Sequence, residues 1–182
     1  MREGAGPLDP PAAGETPMML YAAIVPPLKR LTKTVPHLLG CLDSPEPLTA
    51  RLTPDSFTAG EHFCVALGYV ARTVLPLRGD AAPDLPFDSD PGLITALAHD
   101  MGYLLDTIME ADLADSDTRH ITHTAGEATL TQSGRDYALL YALPNAHFHL
   151  TLAYATLRMA GVQIGKGDLD GFHVYTPALT LN

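Results

Sequence analysis

The chain has 182 residues, 46% of them hydrophobic and 18% charged. These proportions suit one soluble globular domain with its own core, and they exclude a disulfide-dependent scaffold or a low-complexity chain. With 21 acidic against 11 basic residues and a formal charge of −10, no phosphate-neutralising surface is evident, so nucleic acid and anionic membrane are not expected as partners.

Residues 1–17, "MREGAGPLDPPAAGETP", lack the apolar centre of a signal peptide and read as a mobile tail. The apolar segments that follow are all interrupted before about 18 consecutive apolar residues accumulate, so no membrane-spanning helix is expected. Cys41 and Cys64 have no metal-type spacing. They read as free, buried thiols in a reducing, cytoplasmic setting.

The first periodic segment places Leu20, Ile24, Leu28, Leu31, Val35 and Leu38 at three- and four-residue steps, with Lys29, Arg30 and Lys33 on another face. That spacing predicts an amphipathic helix, bent or divided at Pro26 and Pro27 and stopped at Gly40. A second helix follows, capped by Asp55 or Ser56 or by a Thr58/Glu61 capping box. It carries Phe63, Ala66, Val70 and Val74 inward. Asp90 as N-cap and Pro91 at the first position open a third helix, whose stripe is Leu97, Met101, Leu104, Leu105 and Ile108.

The Thr-rich alternation of "RHITHTAGEATLTQ" around Gly126 predicts a short hairpin. Ser133 and Asp136 then cap a last long helix that ends at Gly161, followed by a glycine-containing stretch expected to be mostly irregular. The residues therefore predict an all-α fold, a four-helix bundle of up-and-down or crossover type with one inserted β-hairpin before the last helix. Its domain spans residues 18–171, with a C-terminal tail over 172–182.

Several partial motifs fail for want of context. Gly165, Gly167 and Gly171 follow a helix rather than a strand, so they do not make a dinucleotide loop, and "DLDG" at Asp168 lacks the glutamate of a calcium loop. His37, His99 and His173 read as surface groups, and His120 and His123 fall on opposite faces of a strand. On a helix, His147 and His149 diverge by about 200° and cannot chelate together. His149 instead shares a small, polar stripe with Asn145, Ala153 and Thr156. Pro144 should kink the helix and free backbone acceptors ahead of Asn145. Asn145 and His149 are thus either a satisfied kink or a site.

The segment "ALPN" at Ala142 to Asn145, followed by His149, Ala153 and Tyr154, Leu157 and Arg158, Gly161 and Val162, and Ile164 to Lys166, resembles a branch of unknown function of the DinB-like helical-bundle superfamily. The likeness extends over roughly residues 18 to 171. It implies an up-down-down-up four-helix bundle, often a homodimer. Members of the superfamily hold a divalent ion with one histidine from the second helix and a histidine pair on the last. Here those positions are His62, Asn145 and His149, and two usually aromatic positions are Ala146 and His147.

Three readings follow. The first is a pocket enzyme for a small organic molecule, an isomerase, lyase or cyclase. It would use His62, His149 and Asn145 for acid/base and oxyanion chemistry, with His147, Tyr69 and Tyr154 as lining. The second is a metal-dependent transferase or hydrolase with Zn or Ni on His62 and His149. The third is a non-catalytic dimeric bundle in which the cluster is a hydrogen-bonded core network.

Overall fold

The computed structural model describes residues 20–174; the tail assigned to residues 1–17 and the chain from 175 onward lie outside the described residues. Helix α1 spans Leu20–Gly40, and all six positions of its expected stripe are buried. Pro26 and Pro27, expected to bend or divide the segment, lie inside one helix together with Pro36. The apolar stripe keeps its phase across the prolines. Burial of one face therefore holds together what local propensity would interrupt.

Helix α2 (Ala59–Arg78) opens on the Thr58/Glu61 capping box, not on Asp55 or Ser56. Its four expected core positions are fully buried, Leu67 and Leu77 join them on that face, and Tyr69 and Ala71 are buried on its flanks. Helix α3 (Pro91–Thr107) has Asp90 as N-cap, accepting the Leu93 N–H at 2.7 Å. Leu97, Met101, Leu105 and Ile108 are buried there, while Leu104 is only half-buried. The predicted hairpin is β1 (His120–Ala125) against β2 (Ala128–Ser133), paired from His120 with Ser133 to Ala125 with Ala128. Gly126 takes φ +60° in the tight turn, a conformation that glycine adopts without strain.

The last long helix runs through a change of pitch. It begins as α4 (Gly134–Asp136), capped by the Ser133 hydroxyl as expected, widens into a π-helical segment over Tyr137–Ala142, and continues as α5 (Leu143–Met159). The described stretch beyond Gly161 is mostly irregular, as expected, with one short helix, α6 (Lys166–Asp170), closed by Gly171 at φ +63°. Phe172, placed at the start of the C-terminal tail, lies under the Arg30 guanidinium of α1 at 3.7 Å.

Helices α1, α2, α3 and α5 form the expected four-helix bundle with the hairpin before the last helix. Packing is most extensive between α2 and α5, which makes α2 the central member. No helix among the described residues is long and apolar enough to cross a membrane.

The hairpin is seated on the bundle at Gly134. A Cβ there would lie 2.0 Å from the Ser116 carbonyl oxygen and 2.9 Å from Leu77 Cδ2. Because the first of these neighbours is backbone, Gly134→Ala should destabilise the fold by about 1–3 kcal/mol, as overpacking does. A denaturant midpoint equal to that of the unsubstituted protein would contradict this close approach.

Candidate functional site

Two histidines expected to meet across the bundle do so. His62, in the first turn of α2, is 3% exposed, and His149 lies on the facing side of α5. Their Nδ1 atoms are 2.9 Å apart, with ring centroids 5.1 Å apart. The His149 ring sits between the rings of Phe57 and Tyr69, at 6.1 and 6.2 Å and within about 25° of parallel to each.

One imidazole must donate at this contact and the other accept. The donor keeps its proton on Nδ1 and leaves its Nε2 bare; the acceptor carries its proton on Nε2. The pair thus offers one proton donor and one proton acceptor while remaining uncharged. Burial lowers the pKa of His62, and it lowers that of His149 to about 4, with the neighbouring His62 and Arg72 adding to the effect. A second proton would place net charge in an enclosed site, which is the physical cause of both shifts. His62 Nε2 is buried with no hydrogen-bond partner among the described residues.

Asn145 does not join the pair. The wide turn before it bonds the Leu143 N–H to the Ala138 carbonyl, five residues back, and the Asn145 amide donates to the Tyr141 carbonyl at 2.7 Å. The expected kink with unpaired acceptors is therefore a π-helical turn, with the Tyr141 acceptor taken by the asparagine side chain. His147 is exposed and bonds the Leu143 carbonyl of its own helix through Nδ1 at 2.9 Å. Tyr154 accepts from the Arg158 guanidinium. Of the expected lining residues, only Tyr69 is brought against the histidine pair.

The pair does not fit a catalytic metal. Such a site needs three protein ligands. Here two imidazoles meet, and the asparagine amide is engaged elsewhere, on the Tyr141 carbonyl. Among the described residues, His62 and His149 belong to no group of three histidine, cysteine or carboxylate ligands.

A cleft of about 490 Å³ opens between α2, the hairpin and the π-helical turn; neither histidine lines it, and Tyr69, stacked on His149, joins the two. It is lined by Tyr69, Arg72, His123, Tyr137 and Tyr141, among others. The Tyr69 hydroxyl donates to that of Tyr141 at 3.4 Å, and Tyr137 donates to the Arg72 carbonyl at 2.6 Å. Burial holds both buried phenols protonated, raising the Tyr137 pKa to about 12 and that of Tyr69 further. The His123 ring lies 4.2 Å from that of Tyr141, and its buried Nδ1 has no hydrogen-bond partner among the described residues. Sequence reading passed over His123, Arg72 and Tyr141. Only the 137/141 spacing, which puts two tyrosines on one helical face, hinted at them.

Over residues 20–169 the chain matches the family described as Domain of unknown function (DUF1993). The chain belongs to the DUF1993 family. A solved structure similar to this DUF1993 chain is that of a DinB family member protein from Shewanella denitrificans, 25% identical, with a TM-score of 0.76. The likeness covers 87% of this chain and 95% of that one, so the DUF1993 fold is DinB-like. Among curated proteins no match to the chain is found.

The lowered histidine pKa has a consequence for stability. In the unfolded chain His149 titrates near 6.5 and in the folded chain near 4, so between these values the unfolded state binds more protons and acid favours unfolding. Stability should hold above about pH 6.5, fall as the pH drops towards 4, and show a shallower slope in His149→Phe. A slope unchanged in that variant, measured by urea unfolding across the range, would refute the assignment.

Proposed function

We propose that the protein is a small-molecule enzyme of the isomerase, lyase or cyclase type, with the His62–His149 pair as its proton-transfer centre and the adjoining cleft as its binding site. The observation that carries this reading is the 2.9 Å contact between a buried and a half-buried imidazole, the buried one with an unpartnered Nε2. Once the site opens at His62, whose Nε2 is buried in this structure, a ligand that takes a proton from one Nε2 and returns one to the other needs only the shared proton to cross between the Nδ1 atoms. No charged intermediate forms on the protein. That suits a proton shift between two atoms of one molecule better than a hydrolysis.

The cleft supplies the complementary groups. Arg72 provides a cation for a carboxylate, and the Tyr141 hydroxyl, which accepts from Tyr69, is a donor for a carbonyl oxygen on which negative charge develops. The favoured substrate class is accordingly a small carboxylate with an enolisable carbonyl.

The test is deuterium incorporation from heavy water into a panel of 2-oxo and 3-oxo carboxylates, followed by NMR. The unsubstituted protein should accelerate exchange at a carbon next to the carbonyl, and His149→Phe should lose at least about 100-fold of that rate, as removal of a positioned acid/base group does. Arg72→Ala should chiefly weaken binding. Exchange at an undiminished rate in His149→Phe would sink the proposal.

A further inference from the structure

A second cluster of donor atoms lies apart from the histidine pair. His37 and Cys41 are four residues apart at the end of α1, the spacing that stacks two side chains on one helical face, and Asp168 of α6 closes over them. Nitrogen, sulfur and carboxylate oxygen all lie within 4.8 Å of one another. We propose that His37, Cys41 and Asp168 form a zinc site that ties the α6 segment to the first helix.

The donor chemistry agrees with this ion. Thiolate, imidazole and carboxylate are the ligand types that zinc accepts, and three of them leave a fourth tetrahedral position for water or a bound anion. The geometry needs little change. His37 Nε2 is 3.0 Å from Asp168 Oδ1, whereas two such atoms on one zinc stand about 3.3 Å apart. The carboxylate is already oriented, because its other oxygen accepts the Gly165 N–H at 2.8 Å. Support behind a ligand of this kind holds it for the metal.

Cys41 presents its sulfur to the same place, where its thiol donates to the His37 carbonyl. Metal binding would release that thiol proton to solvent, with sulfur taking the metal in its stead. Access is open, since His37 is exposed and the other two are half-buried. A groove of about 810 Å³ runs past the cluster, with Arg30 and Lys33 along it. These cations would favour an anion at the fourth position over a second carboxylate-bound metal.

The spacing alone did not reveal this. Cys41, read from sequence as buried, is half-exposed, and only Cys64 is buried. His37 and Asp168 are 131 residues apart and meet only through the docking of α6.

The experiment is titration of the full chain, prepared without a histidine tag and freed of metal, with Co²⁺ and then Zn²⁺. One equivalent of Co²⁺ should give a thiolate-to-cobalt charge-transfer band in the near ultraviolet, which Zn²⁺ abolishes by displacement. The band should vanish in Cys41→Ser, weaken strongly in Asp168→Asn, and persist in His149→Phe. Circular dichroism of each variant checks that it is folded. Cobalt binding without a thiolate band, a band that survives Cys41→Ser, one lost in a folded His149→Phe, or no binding at micromolar metal would each overturn the site.

Discussion

Helix α2 is surrounded by α1, α3 and α5, and between Glu61 and Arg72 it carries no charged residue. Enclosure on that scale decides what its polar groups can do, because a buried donor or acceptor left without a partner costs about 1–3 kcal/mol. Thr73 returns its hydroxyl to the Tyr69 carbonyl one turn back. Tyr69 reaches Tyr141, and His62 reaches His149. Each polar contact of the site is therefore also part of how the central helix is accommodated. The site's position is set by the bundle, and its low histidine pKa values follow from the same burial.

The second determinant is the wide turn of Tyr137–Ala142. It brings Tyr137 and Tyr141 together against α2 and the hairpin, with their rings 5.7 Å apart and His123 packed on both. Without the hairpin the cleft would lose a wall; without the turn it would lose its tyrosines. The cleft thus depends on three elements distant in sequence, while the histidine pair depends on two.

This difference explains what could be read from the sequence. The stripes of α1 and α2 obey helical periodicity, and the Thr58 and Asp90 caps are local signals, so the bundle was legible. His62 and His149 could be matched only through the resemblance to the DinB-like superfamily, whose ligand positions they occupy; periodicity alone did not pair them. The course around Pro144 was not legible. A missing N–H can be met by a kink, a break or a wider turn, and the choice rests on tertiary packing and on the amide of Asn145. Nor was the docking of α6, since five residues carry too little periodicity to show which face they present. His123 was set aside because alternation places a strand residue on one side or the other without saying what that side meets.

The π-helical turn also bears on how chains of this kind can vary in length. Relative to an α-helix it holds one residue more per turn, and each residue of an α-helix advances the chain by about 100°. Loss of a single residue between Tyr137 and Ala142 would let the segment relax to ordinary pitch. The helix on either side and the hairpin seat at Gly134 would keep their direction, because the wide turn holds its extra residue within the same rotation, but the tyrosines inside the turn would lose their placement on α2. The turn is thus one added residue absorbed within a helix, where a loop would ordinarily take it up.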